Sequence, residues 1–405
     1  MSIVPLHIPI NEIDKYFYNR KEDIKKIEYY LNSLELGISQ SLLIRGVRGV
    51  GKTFLLQKIK QDSKKNFIVS YVDVSRIVGK DDTHLNAQSV LLELLDEMNN
   101  SIYESLNDNN KITFLLKNLI DKLKLKDYSF SKGTHIAEIP IPATDDNYKK
   151  ISKFVMEYPQ KVVESSAGID GFIIILDEFQ MLKKLKKPED FFWMLRSYSQ
   201  FQSNVSYVMT GSISQTSDMI EMLNGATGAF GGRMIQINID PFTKQETESY
   251  FKERFAEIKF TQEGFDRFYE YTKGIPMYIN SFYNALSSHE TYDEDLIDYI
   301  FLNNMDQILV MWIRIWGTLN NYEKNIICTM LNQESITWSK LEKNLNMAPA
   351  TLNKYIKTLQ DKGIIKYYNG KYSLEDLMLE TWLNHEKERT GVYPYWIYAL
   401  VIDST

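Results

Sequence analysis

The chain has 405 residues, 44% of them hydrophobic, which allows two or three domains with sizeable cores. A formal net charge of −6 argues against a protein that coats nucleic acid or an anionic membrane through its overall field, and a single cysteine excludes an internal disulfide framework. No basic region followed by an apolar core opens the chain, and no apolar run approaches twenty residues, so the expectation is a cytoplasmic protein with no membrane partner.

In chain order, Asn19 to Leu34 places Ile24, Ile27, Leu31 and Leu34 at helical spacing and predicts an amphipathic helix with Asn19 as its N-cap. Ser41 to Leu56 (SLLIRGVRGVGKTFLL) then joins an apolar run to a glycine loop and a helix start. Gly46, Gly51, Lys52 and Thr53 fit G-x-x-x-x-G-K-[ST], the phosphate-binding P-loop pattern. Backbone N–H groups at the positive end of a helix dipole can hold a β-phosphate only where no side chain blocks the approach, and Gly46, Gly49 and Gly51 keep it open. Val47, Arg48 and Val50 within the loop, and Phe54 at the helix start, complete the expected phosphate-binding set. Lys52 would reach the β- and γ-phosphates as a point charge, and the Thr53 hydroxyl would ligate a bridging Mg2+.

Asn66 to Val74 reads as a second strand, followed by helices over Ala87 to Glu104 and Lys111 to Leu125. Lys126 to Ala143, broken by Gly133, Pro140 and Pro142, reads as an insertion forming a short hairpin. After a helix over Asp146 to Ser165 comes Phe172 to Glu178 (FIIILDE), apolar on both faces as in a covered parallel sheet. Asn204 to Gly211 and Met234 to Asp240 are two further strands, and Lys183 to Lys187 reads as a solvated helix end. Strands alternating with helices predict an α/β fold over residues 1–242, a doubly wound parallel P-loop NTPase sheet with a five-stranded core. Residues 243–319 read as an all-α lid interrupted at Lys273-Gly274-Ile275-Pro276. Residues 320–405 read as a winged helix-turn-helix domain with a C-terminal tail, its helices at Tyr322 to Leu331, Ser339 to Leu345 and Ala348 to Gln360 and its hairpin turning at Asn369-Gly370. Cys328, within NIICTML, reads as an apolar filler.

Hydrolysis needs metal positioning and a base for water, and Asp177 and Glu178 at the end of the FIIIL strand offer both. Asp177 would hold the magnesium through its water, and Glu178 would orient or deprotonate the attacking water. Thr210, Gly211 and Ser212 close the Asn204 strand with small polar groups that could sense a γ-phosphate; capping of the next helix by Ser212 or Ser214 is the other reading. Arg233, just ahead of the Met234 strand, could neutralise charge on the transferring phosphoryl group, within the chain or from a neighbouring subunit, or serve as a plain surface arginine.

The combination of GVRGVGKT, IIILDEFQ, TGS, GGRMIQINIDPF and KGIP resembles the archaeal ATPase family, in the STAND and AAA+ branch of P-loop NTPases. FYNRKEDIKKI is similar to that family's F-x-x-R-x-x-E entry segment, with Phe17 and Arg20 in place, Asp23 in the acidic slot and Glu22 one place early. The resemblance covers about residues 15–290, and the winged helix more loosely. It implies slow ATP hydrolysis used as a switch or motor, and a lid turn in which Gly274 and Pro276 approach the nucleotide base. No guanine-selecting N-K-x-D stands at a fitting strand end, so the preference for ATP rests on this resemblance.

Between Glu334 and Lys371 lysines outnumber acidic residues, and a helix carrying Lys354 and Lys357 with a wing carrying Lys366 and Lys371 could contact DNA phosphates. Asn353 is the only obvious base reader, and the stretch has no arginine. DNA contact and protein docking both stay open for this domain, as does assembly into a homo-oligomer. Two functions follow: an ATP-hydrolysing switch, or a winged-helix DNA-binding regulator or replication initiator or loader that uses ATP as a structural or regulatory ligand.

Overall fold

The computed structural model describes residues 12–78, 85–106, 130–136, 139–142, 148–212, 220–331, 333–374 and 376–394. The expected helix at Lys111 to Leu125, Ser214 and the apolar tail after Tyr395 lie outside them. Strands β1 (Leu42–Gly46) and β2 (Phe67–Asp73) come first, then the hairpin β3 (Phe130–Ile136) and β4 (Ile139–Pro142), then β5 (Gly171–Asp177), β6 (Val205–Ser212) and β7 (Ile235–Asn238). The hairpin stands apart as an antiparallel pair, and the other five form one parallel sheet ordered β2-β5-β6-β1-β7.

The sheet is covered on both faces because its strands are apolar at successive positions. Leu43, Ile68, Phe172, Ile174, Leu176 and Met209 join one cluster with Leu91, Leu94, Phe154, Val155 and Leu195, which come from helices Ala87–Leu106, Tyr148–Ser165 and Pro188–Ser199. Their alternates Leu42, Ile44, Val69, Ile173, Ile175 and Val208 pack with Ile27, Leu31, Leu55 and Ile59 from helices Lys21–Leu31 and Lys52–Asp62. This period-two division between two buried layers is what a doubly wound parallel sheet requires. The run FIIIL is buried throughout, which fixes the height of Asp177 at the carboxyl edge.

The entry helix is shorter than its pattern suggests, running from Lys21 to Leu31 and tightening into a 3-10 turn over Asn32–Leu36. Asn19 is not its N-cap. Arg20 holds that position in a left-handed conformation, and the Asn19 amide instead donates to Glu246 Oε1 at 2.6 Å, joining the entry segment to the lid. The lid is not wholly helical either. It includes a short parallel pair, β8 (Lys259–Phe260) with β9 (Thr291–Tyr292), wrapped by aromatic packing of Phe251, Phe260, Phe265, Phe268 and Tyr292.

The winged helix has helices Asn321–Met330, Trp338–Leu345 and Pro349–Asp361 and a sheet of β10 (Ile336–Thr337), β11 (Ile365–Tyr368) and β12 (Lys371–Leu374). Asn369 and Gly370 both take positive φ, as a two-residue hairpin turn demands. A further helix, Leu377–Thr390, which the sequence reading does not assign, follows the wing. Lid and winged-helix side chains belong to one continuous apolar cluster, from Phe242 and Phe251 through Trp312 to Leu352 and Leu383, with Trp316 edge-on to Trp382 at 5.9 Å. Cys328 packs against this cluster, and burial pushes its thiol up to about 12, in keeping with a filler.

At the lid–winged-helix joint, Asp376 caps helix Leu377–Thr390 by accepting from the Leu379 N–H at 3.2 Å. Burial pushes its carboxyl up from an ordinary 3.8 to about 6. A carboxyl whose folded pKa is raised binds its proton more tightly in the folded chain, so stability falls as pH rises through that window. The shift corresponds to on the order of 3 kcal/mol. As pH rises from 4 to 6 the melting temperature of wild type should fall relative to that of Asp376→Asn, whose amide does not titrate, and a constant difference between the two would contradict this.

Candidate nucleotide site

The loop after β1 ends at Gly51, the N-cap of helix Lys52–Asp62, so the first-turn N–H groups of that helix point into the loop without intrahelical acceptors. Lys52 is buried at 7% exposure and its Nζ donates to the carbonyls of Gly46, at 2.9 Å, and Val47, at 3.1 Å. Those carbonyls occupy the ammonium where phosphate oxygens would take it. Burial holds the amine below its usual range while Glu178 and Asp177 pull it upward, which places one cation in a pocket with two carboxylates nearby. Exposed Arg48 stands close enough to act electrostatically on both Lys52 and Glu178. Phe54 packs its ring at 5.6 Å from Phe17 of the entry segment.

The strand order sets the second half of the site. β6 lies between the P-loop strand and β5, with Ile44 paired to Thr210 and Leu176 to Met209, so Thr210 and Asp177 reach the same edge as the loop. Asp177 is 1% exposed and accepts four hydrogen bonds: from Thr53 Oγ1 at 2.7 Å, Tyr71 OH at 2.6 Å, the Glu178 N–H at 2.9 Å and the Thr210 hydroxyl. Tyr71 was not visible as a site residue in the sequence. Its hydroxyl is driven up by burial and then by Asp177, so it stays protonated and serves as a donor. Thr210, fully buried, gives its proton to Asp177; it acts on the site through that carboxylate rather than by reaching toward a phosphate.

Glu178 follows in a left-handed conformation, φ 53°, uncommon outside glycine and concentrated at functional sites. The turn lets consecutive carboxylates both serve one edge of the sheet. Burial raises the Glu178 carboxyl above the ordinary glutamate range, with Asp177 adding to the effect, and the Gln180 amide donates to it. A half-buried carboxylate of raised basicity beside a cation is suited to proton abstraction from water. The Thr53 hydroxyl and Asp177 carboxylate, oxygen donors already in contact, fit a hard divalent cation.

The lid rests on this loop. Pro276 opens helix Pro276–Tyr283, and the next residue, Met277, donates its N–H to the Gly49 carbonyl at 3.2 Å. Gly49 has φ +82°, and a Cβ there would stand 2.8 Å from Met277 Cβ, so glycine is required both by the loop's turn and by the lid's approach. The entry segment closes the other side: Arg20 donates to Val50 O at 3.0 Å and Asp240 O at 2.6 Å, stacks on Phe242 at 4.7 Å and pairs with Asp23 at 3.4 Å. Asp23 therefore fills the acidic slot, and Glu22 is a solvated partner of Lys25.

Arg233 is not brought to this edge within the chain. β1 pairs Leu42 with Ile235, which puts Arg233 level with Gln40 at the amino end of the sheet, roughly 20 Å from Gly46 at about 3.3 Å per residue. There it lines a 460 Å³ cavity with Ser39, Ser41, Arg196 and Phe230. In the winged helix, Asn353 is not a free base reader: its Oδ1 accepts from the Trp338 indole at 2.7 Å.

A parallel sheet with a P-loop and a carboxylate strand two places away, a lid on the loop and a winged helix beyond it defines a P-loop nucleotide-binding protein of the ATPase type. The chain belongs to the family described as "ATPase domain predominantly from Archaea", whose model matches residues 17–282. Residues 319–366 match a model described as "Winged helix-turn-helix DNA-binding". Among solved structures, the chain is similar to the Walker-type ATPase PABY2304 of Pyrococcus abyssi, at 14% identity and TM-score 0.62 over 91% of this chain and 96% of that one. It is also similar to the ORC2 protein of Aeropyrum pernix in its ADPNP–ADP complexes, at 14% identity and TM-score 0.53 over 94% of this chain and 98% of that one. These likenesses are of fold. No curated protein sequence matches the chain.

Proposed function

We propose that the chain binds ATP with Mg2+, hydrolyses it slowly, and works as a nucleotide-driven switch of the STAND and AAA+ kind. The observation that carries this reading is the Asp177 carboxylate, held by the P-loop's Thr53 on one side and followed at once by a basic, half-buried Glu178 on the other. When bound, magnesium would neutralise charge on the β- and γ-oxygens, with Thr53 and Asp177 as its protein ligands. Lys52 leaves the Gly46 and Val47 carbonyls for the phosphates, and the loop N–H groups orient them. Tyr71 and Thr210 donate to Asp177 and hold it aimed, and Glu178 takes the proton of the attacking water. Release of phosphate from ATP, assayed with Mg2+ and again with EDTA, tests this. Turnover is expected only with the metal, and none in Lys52→Ala; turnover that ignores both changes would overturn the reading.

Arg233 is exposed and far from its own loop, so it is either a plain surface arginine or completes a neighbouring copy's site in a homo-oligomer. A native mass that stays monomeric with ATP would exclude the second role.

The second reading is a DNA-binding regulator, initiator or loader in which ATP is a structural or regulatory ligand, and the winged-helix match favours it. Lys354 and Lys357 are exposed on the second turn-helix, and Lys366 and Lys371 flank the exposed Tyr368 of the wing. With Asn353 held by Trp338, this surface is built for phosphates rather than bases. If four phosphates are contacted, log affinity for duplex DNA should fall against log salt with a slope of about −4, largely independent of sequence, as read by fluorescence anisotropy. A flat salt response would leave protein docking as the domain's role.

A further inference from the structure

The wing sheet has two faces of different character, and its register decides which residues stand on each. β11 pairs with β12 so that Ile365 meets Leu374, Lys366 meets Ser373, Tyr367 meets Tyr372 and Tyr368 meets Lys371. Alternation along the strands puts Ile365, Tyr367, Tyr372 and Leu374 on one face, where Ile365 is buried and the Tyr367 ring packs against Tyr372 at 4.8 Å. The other face carries Lys366, Tyr368, Lys371 and Ser373. Tyr368 is 74% exposed there, and among the described residues its ring has no aromatic partner. Tyrosine suits a strand, so exposure alone carries little. What singles out this ring is its setting. Lys371 lies directly across the ladder, and Lys366 lies about 7 Å away along the same strand. A 730 Å³ cavity opens beside the ring, and no acidic side chain of the described residues lines it. The turn at Asn369-Gly370 follows at once, so Tyr368 stands near the hairpin tip, on the edge strand of the three-stranded sheet.

We infer that Tyr368 is a stacking platform for one unpaired DNA base, so that the wing favours DNA with a single-stranded segment over blunt duplex. The inference rests on the DNA-binding reading and names its substrate class. Lysines serve the phosphates of either form of DNA, whereas a flat apolar ring between two lysines matches the face of a base. Inside a duplex that face is covered by its neighbours; in an unpaired strand it is open. A strand laid along this edge can set one base on Tyr368 while the phosphates on either side reach Lys366 and Lys371, the combination of aromatic stacking and a basic track that single-strand binding uses. Stacking reads no base edge, so it adds affinity without sequence preference, in keeping with an Asn353 that is held by Trp338.

The test is fluorescence anisotropy of the whole chain with labelled probes: an oligothymidylate, a blunt duplex, and the same duplex carrying an oligothymidylate overhang. Wild type should bind the overhang duplex at least about fivefold more tightly than the blunt one, the weak end of what one base stacked on one aromatic ring contributes. Tyr368→Ala should lose that preference and weaken oligothymidylate binding by a similar factor, while blunt-duplex binding changes by less than about twofold. Tyr368→Phe, which keeps the ring, should retain the preference. Tyr368→Leu, an apolar side chain without a flat face, serves if the alanine variant does not fold. Equal affinity of wild type for blunt and overhang duplex overturns the inference and leaves the DNA-binding reading standing. A preference that survives in Tyr368→Ala, or an equal loss on every probe, also overturns it. Failure of wild type to bind any probe overturns both and leaves the wing to protein docking.

Discussion

Glu178→Gln is expected to bind ATP as wild type does and to hydrolyse it about 10²- to 10⁴-fold more slowly, the usual contribution of a positioned general base. Glutamine keeps the size of the side chain and an acceptor for the Gln180 amide, so the left-handed turn at the end of β5 has no reason to move. What it loses is the basic oxygen. The same argument fixes a pH dependence. Burial and Asp177 raise the Glu178 carboxyl, so it takes up a proton at a higher pH than a free glutamate, and the acid limb of the wild-type rate should begin above the ordinary value near 4.5. Steady-state phosphate release across pH checks both points. Turnover equal to wild type with ATP binding intact would remove Glu178 from the chemistry.

Gly274→Ala is expected to lower stability by on the order of 3 kcal/mol, measured by urea unfolding of the two proteins. Gly274 has φ +69°, and an added Cβ would drive into the carbonyl oxygen of Phe242. That segment cannot easily retreat. Phe242 donates its N–H to the Gly274 carbonyl at 2.8 Å, its own carbonyl accepts from Tyr269 OH at 3.2 Å, and its ring carries the Arg20 guanidinium. Relief of the clash would therefore pull on Arg20, which also grips the Val50 carbonyl of the P-loop, and ATP affinity should weaken along with stability. An unchanged unfolding midpoint would show that the lid turn is looser than this packing implies.

The parts of the site that were legible in the sequence are those that local pattern dictates. The P-loop needs a glycine loop between a strand and a helix, and FIIILDE needs two covered faces and an acidic end; both requirements are satisfied by residues adjacent in the chain. Tyr71 was not legible, because its meeting with Asp177 depends on β2 lying beside β5, and strand order is a long-range property. The same holds for Met277 on Gly49 and for Arg20 on Val50, which join segments more than two hundred and about thirty residues apart. Arg233 as a site residue within the chain conflicts with the expected parallel sheet itself: a residue just before a parallel strand lies at the amino edge, opposite the edge that carries the P-loop. Asn353 looked free because the donor that fills its acceptor, Trp338, lies on the preceding helix, out of local sequence reach. The last helix went unread because its polar second half, NHEKERT, masks the buried Met378, Leu379, Trp382 and Leu383.

The most direct test of the account is a calorimetric titration of ATP into the whole chain, run in Mg2+ and again in EDTA, with Asp177→Asn beside wild type. One site per chain is expected, at least about tenfold tighter with the metal, a difference of 1.4 kcal/mol that Asp177→Asn largely abolishes. Equal affinity with and without Mg2+, or a metal effect that survives in Asp177→Asn, would contradict the placement of Thr53 and Asp177 at a shared metal and nucleotide site.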